Sequence, residues 1–306
     1  MQGSFVASKT CPALQSIKKG TNTGNVSVAA GNSYKLLGKN QEQASHYWIE
    51  VPEAAPKQRW IAADCGVVSA LSNTVKIPVA PKAKTNANDP FYVLAMSWQP
   101  AFCEGLPKKV ECRKQTATSY EATHFALHGL WPQPRREVFC GIDKVLADAD
   151  NNHRWEQLPA PELSAETRAA LDQVMPGTQS NLERHEWIKH GSCYLNGEAE
   201  TYFRDSIRVM ATVNASPVQA FVAANVGKKI QTADLRAKFD EAFGKGAGQR
   251  IRVACKDDGA RELIVEVTIG LKGSISSGIP VADLILASSP TDAGCPAGII
   301  DPVGPQ

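Results

Sequence analysis

Apolar positions fall into two regimes along the chain. Over the first 80 residues they form short β-type runs, Tyr47-Trp48-Ile49-Glu50-Val51 and Arg59-Trp60-Ile61-Ala62-Ala63, separated by a proline-containing turn from Pro52 to Pro56. The stretch from Pro78 to Pro90 is polar, proline-containing and aperiodic, which is the composition of a linker. The pattern predicts a β-rich module at residues 1–80, a linker at 81–90 and a larger domain at 91–306.

That domain opens with Phe91 to Trp98, a strand too apolar to be exposed on both faces. A short loop carrying Cys103 and Cys112 follows, then a strand from His124 to Trp131 that stops at Pro132. Helical periodicity then takes over. Ser164 suits the N-cap of Ala165 to Met175, with Glu166 in the first turn and Pro176-Gly177 as the stop. Asn181 is the candidate cap of a helix running through His190, which Gly191 would end. Ala199 to Val213, Pro217 to Val226 and Asp234 to Phe243 continue in the same style. Two late strands, Arg250 to Cys255 and Glu262 to Leu271, flank a turn at Asp257-Asp258-Gly259. This order predicts an α+β domain with helices packed on a mainly antiparallel sheet.

Composition narrows the class. With 43% apolar and 21% charged residues among 306, the chain reads as a soluble globular protein, and no run approaches the roughly 20 apolar residues of a membrane span. Met1-Gln2-Gly3-Ser4 lacks the basic start and apolar centre of a secretory signal, which on its own points to the cytoplasm. The eight cysteines point the other way. Even in number, widely scattered and without a Cys-x-x-Cys pair, they suit disulfides in an oxidising compartment, so an exported protein, periplasmic or secreted, is expected. Cys11 and Cys65 bracket the small module, and a bridge between them would staple it. The net charge of +2 removes a strong global field for nucleic acid, yet an enzyme gripping a few nucleotides needs only a local positive site.

Four of the six histidines lie in two short segments, His124-Phe125-Ala126-Leu127-His128-Gly129-Leu130-Trp131-Pro132 and Arg184-His185-Glu186-Trp187-Ile188-Lys189-His190-Gly191-Ser192-Cys193. On a helix turning about 100° per residue, His185, Lys189, Glu186 and His190 share one arc of roughly 140°, with Trp187 and Ile188 opposite. Such a helix anchors in a core and presents its ionisable groups to one cleft; the same pattern also describes a solvated face. The five-residue spacing of His185 and His190, with Lys189 on the same arc, argues against a shared zinc ion, so no metal and no cofactor are expected. In the first segment strand alternation groups His128 with His124, Ala126 and Leu130 and sets Trp131 on the other face, leaving open which histidine is functional. Gly129 lets another group approach closely beside His128. Imidazoles titrate near neutrality, so two of them can act as base for a ribose 2′-hydroxyl and acid for a departing 5′-oxygen, while Lys189 offsets phosphate charge.

The two segments resemble the paired active-site motifs of the ribonuclease T2 family, over roughly residues 91 to 300. The resemblance implies a metal-free transesterification, with His190 as general base, His128 as general acid, His185 binding phosphate, and Glu186 and Lys189 stabilising the pentacoordinate transition state. It assigns no catalytic part to His124. It also implies bridges Cys140–Cys193 and Cys255–Cys295, leaving Cys103–Cys112 and Cys11–Cys65. Trp131 resembles a family tryptophan of a base site, though it suits a core equally. Gln133 stands where some members place an adenine-contacting acid, so broad base tolerance is expected. Lys35 to Gly66 resembles bacterial SH3-like domains, which implies either a cell-wall or peptide ligand for the module or a purely structural extension. The expected protein is thus a monomeric endoribonuclease acting on single-stranded RNA; the alternative is an exported binding or toxin-like protein in which cleavage is secondary.

Overall fold

The computed structural model describes residues 3–7, 10–29, 32–41, 44–52, 54–69, 89–194, 197–275 and 279–305. Most of the linker expected at 81–90 lies outside them. The chain divides into two units, Met1–Lys82 and Ala83–Gln306.

In the first unit, alternation drives seven strands: β1 (Gly3–Ala7), β2 (Cys11–Pro12), β3 (Ser27–Val28), β4 (Ser33–Lys39), β5 (His46–Glu50), β6 (Gln58–Ala62) and β7 (Gly66–Ser69). Five form an antiparallel sheet in the order β6-β5-β4-β1-β7, and β2 pairs with β3. Phe5, Val28, Leu36, Ile49 and Ile61 bury their side chains together, and the Cys11–Cys65 disulfide closes the unit. Arg59 faces inward and is buried, a costly position for a cation unless its donors are met. Its guanidinium donates to the carbonyls of Pro56, Ala55 and Thr23 at 2.9, 3.0 and 3.3 Å.

The second unit is α+β. Its sheet is built on β12 (Arg261–Lys272), the longest strand, in which Leu263, Ile264, Val267, Ile269 and Leu271 are buried. On one side β12 pairs with β11 (Ile251–Asp258). On the other it pairs with β8 (Phe91–Ser97), and β8 with β9 (Ala126–Pro132). The β12 start touches β13 (Ala297–Ile299), which pairs with β10 (Lys229–Gln231). Among the described residues the named strands pair antiparallel except β12 with β13, which is parallel. Apolar faces of α4 (Ala165–Val174), α6 (Ala199–Asn214), α7 (Pro217–Ala224), α8 (Thr232–Phe243) and α9 (Val281–Ala287) complete one core with the sheet. Ser164 caps α4, its hydroxyl accepting from the Thr167 N–H.

Several expectations are corrected here. The loop after β8 is two short helices, α1 (Gln99–Gly105) and α2 (Val110–Lys114), linked by Cys103–Cys112. The strand expected from His124 begins at Ala126, and Asp257 and Asp258 belong to β11, so the turn is Gly259–Ala260. A helix unforeseen in the sequence, α3 (Lys144–Asn151), is capped by Asp143. The helix α5 (Leu182–Lys189) stops one residue short of His190, and Asn181 before it is left-handed (φ 63°) with no side-chain cap bond.

Candidate active site

The cleft forms where β9 meets the end of α5. Gly129 pairs with Ala95 and Leu127 with Met96, which leaves His128 as the extra residue of a β-bulge. This overturns the alternation argument. Instead of sharing a face with Ala126 and Leu130 only, His128 turns to the α5 side with Gly129 and Trp131. All three meet one group, the Glu186 carboxylate. His128 Nε2 lies 3.5 Å from Glu186 Oε1, and Trp131 Nε1 donates to Oε2 at 3.0 Å. A Cβ on residue 129 would fall 1.8 Å from Oε2, so the close approach expected beside Gly129 is made by Glu186 itself.

Glu186 is fully buried, and Oε1 accepts no hydrogen bond. That oxygen sits between two imidazoles, 3.5 Å from His128 Nε2 and 3.7 Å from His185 Nε2. Burial raises the Glu186 carboxyl above its ordinary range; the positive charges of His128, His185 and Lys189 and the Trp131 hydrogen bond work against that rise.

Each imidazole on this carboxylate is held from behind by a second one. His128 donates through Nδ1 to Glu266 Oε2 at 2.7 Å, and His185 through Nδ1 to Asp150 Oδ1 at 2.6 Å. These bonds fix the tautomers and aim both Nε2 atoms at the cleft. Asp150, on α3, is 1% exposed, and Trp155 stacks on the His185 ring at 4.6 Å. Neither Asp150 nor Glu266 was singled out in the sequence. Glu266 is the one acid inside the apolar run Leu263 to Leu271 of β12, the only signal that could have marked it.

His190 caps α5, its N–H still bonded to the Glu186 carbonyl, and its ring lies 5.6 Å from Trp131 and 6.1 Å from His185. Burial, then the charges of His185, Lys189, His128 and Arg135, depress its pKa to about 3. His128 goes the other way. Enclosure alone would lower it, but the Glu266 hydrogen bond and the Glu186 and Glu266 charges outweigh that and raise it. The loop carrying Arg135 is tied to the α5 end by Cys140–Cys193 and by the Phe139 N–H donating to the Lys189 carbonyl at 3.0 Å.

The structure therefore brings His128, His185, Glu186, Lys189, His190 and Trp131 together. Gln133 sits at the margin, its amide donating to the Trp131 carbonyl at 3.2 Å. His124 is elsewhere, stacked on Tyr120 with Nδ1 against the Tyr120 carbonyl. The angular argument separating His185 from His190 needs correction, because donor atoms of His185, Glu186 and His190 lie within 4.8 Å of one another. Side chains reach across an arc that Cα positions keep apart. Cys255–Cys295 joins β11 to the segment before β13.

Fold and cluster together define an α+β protein equipped for proton transfer by carboxylate-held imidazoles. The sequence profile of the ribonuclease T2 family matches residues 89–279, a span that includes every residue of the cluster. Ribonuclease I of Escherichia coli is 31% identical over 237 residues, covering 71% of this chain and 87% of that protein. A probable ribonuclease of Haemophilus influenzae is 31% identical over 126 residues, 39% of this chain and 42% of its own length. Japanese pear S3-RNase aligns in structure with a TM-score of 0.47 at 18% identity, covering 69% of this chain and 98% of that one. The chain belongs to the ribonuclease T2 family.

Proposed function

We propose that this endoribonuclease cleaves single-stranded RNA by 2′-hydroxyl attack, forming 2′,3′-cyclic phosphates and then 3′-phosphate ends. The opposite settings of two histidines carry the reading. His190, kept neutral among cations, takes the 2′-hydroxyl proton; His128, whose cationic form two carboxylates favour, delivers a proton to the leaving 5′-oxygen. In the hydrolytic step the two exchange roles and a water replaces the 5′-oxygen. His185, oriented by Asp150, contacts the phosphate, while Lys189 and Glu186 stabilise the charge and protons of the pentacoordinate state. The nucleophile belongs to the substrate, so this route requires no Lewis acid.

A cleft of about 450 Å³ beside His128 and Glu266, lined by Phe102, Leu106, Trp155 and Leu182 with Lys109 and Lys256, has the size and character for a nucleobase and its phosphate. Trp131, half-buried, would offer its ring to a base on the His190 side. Gln133 presents an amide in place of a carboxylate, which favours broad base tolerance. No helix among the described residues is long and apolar enough to cross a membrane, and four disulfides mark an oxidising compartment; we place the protein in the periplasm or outside the cell.

The test is incubation of a defined oligoribonucleotide and its DNA counterpart in excess EDTA, with product ends read by mass. Cyclic and then 3′-phosphate ends from RNA alone are expected. Cleavage abolished by EDTA and restored by zinc would instead make His185, Glu186 and His190 a metal site.

A further inference from the structure

The charge of the chain is unevenly divided. Residues 1–80 hold eight Lys and Arg against four Asp and Glu, whereas residues 91–306 hold 23 against 26. The domain with the histidine cluster is thus net negative, and the excess positive charge lies in the N-terminal unit. A field of that sign gathers polyanions.

The same unit displays an aromatic pair on the outer face of its sheet. Trp48 of β5 pairs directly with Trp60 of β6, and their rings stack with centroids 5.8 Å apart and planes 17° off parallel. Their neighbours in sequence, Ile49 and Ile61, point inward and are fully buried, so the tryptophans are not core residues. Trp48 keeps 39% of its surface exposed, the only aromatic among the exposed large hydrophobic side chains of the described residues. On its other flank the cross-strand partner is Gly38 of β4, over which the ring lies. The same unit carries exposed lysines on the neighbouring strands and turn. Lys35 is the cross-strand partner of Glu50, Lys57 immediately precedes β6, and Lys18 and Lys19 lie in the turn that follows Leu14, whose backbone bridges Trp60.

We propose that Trp48 and Trp60 form a stacking platform for bases of single-stranded RNA, with Lys35, Lys57, Lys18 and Lys19 engaging its phosphates, so that the N-terminal unit captures the polymer the other domain cuts. Every base offers a π-face, so such a platform binds without sequence preference, in keeping with broad base tolerance at the cleavage site. The lysine excess selects RNA over a neutral glycan, which would also stack on tryptophan. The identity of the polymer rests on the proposed nuclease reading; the platform's geometry does not.

The experiment uses the full chain and a 2′-O-methyl oligouridylate of about 12 nucleotides, which spans a typical platform and cannot be cleaved. Affinity is read by fluorescence anisotropy at two salt concentrations, and kcat/KM is measured on long RNA and on a dinucleotide. Trp48→Ala should weaken oligonucleotide binding roughly tenfold, within the range a single base stack supplies, and raise KM on long RNA. Lys35→Glu should weaken binding and flatten its salt dependence. Dinucleotide cleavage should be unchanged in both. Unaltered oligonucleotide affinity in Trp48→Ala overturns the proposal, as does loss of binding to peptidoglycan fragments with RNA binding intact. Should Trp48→Ala unfold, Lys35→Glu and Trp48→Phe decide, an unchanged affinity and salt slope for Lys35→Glu counting against the platform. Absence of dinucleotide cleavage by the parent protein would indict the nuclease reading instead.

Discussion

The two halves of the cleft, the β9 side and the α5 side, hold chemically identical imidazoles in opposite surroundings. His128 is backed by Glu266 and faces Glu186, so its cationic form is stabilised. His190, at a helix end among His185, Lys189 and Arg135, is held neutral. Neither difference could come from the side chain. It comes from what the surroundings supply: carboxylates of β12 and α5 beside His128, and beside His190 the cations of α5, of β9 and of the loop carrying Arg135. In the proposed mechanism the division of labour between acid and base is thus a property of neighbours.

The largest effect should come from removing either half. His128→Ala and His190→Ala are each expected to cut kcat on RNA by roughly 10²–10⁴-fold while leaving circular dichroism unchanged. Near-parental turnover in one of them would break the symmetry of roles. Next is Gly129→Ala, which forces a methyl into the Glu186 carboxylate. Overpacking of that kind costs about 1–3 kcal/mol, so a lowered unfolding midpoint together with lost activity is expected. Retained activity would mean that Glu186 can sit elsewhere.

Glu266→Gln isolates the β9 side. It should lower kcat/KM at pH 7 and shift the alkaline limb of the pH profile downward, leaving the acid limb in place. In the parent that limb should lie above the ordinary imidazole value of 6.5, because activity is lost as His128 deprotonates. The acid limb should lie far below 6.5, following His190 towards about 3. An acid limb near 6.5 would deny His190 the role of base. Stability divides the same way, and this effect is the smallest. The unfolded chain protonates His190 near 6.5 while the folded one resists to about 3, so its contribution is lost as pH falls through that window. The His128 contribution is present below 6.5 and lost as pH rises through its raised folded value. Unfolding midpoints of His190→Ala against the parent should therefore converge, or cross in favour of the variant, on acidification.

Sequence reading found the groups that the cleft brings together because they cluster locally: His128, Glu186, Lys189 and His190 each lie within nine residues of another residue of the cleft. Their supports were illegible. Asp150 is 35 residues from His185 and Glu266 is 138 from His128, separations that only the closed sheet and the packing of α3 on α5 bridge. The α3 helix had a usable signal in Asp143, whose side chain accepts from the Val145 N–H, but short helices with one cap carry little periodicity. α1 and α2 are shorter still. The bulge defeated alternation outright, since a period-two argument assumes the very regularity that His128 interrupts.

That interruption has an engineering corollary. A strand is a two-beat rhythm, and His128 is a syncopation: one residue too many for the partner strand to count. Deleting a residue there, or idealising β9 as a designer instinctively would, yields a more regular ladder whose imidazole points away from the Glu186 carboxylate. Selection for sheet quality alone would erase the proposed acid, so any redesign of this scaffold has to treat the irregularity as information and copy it first.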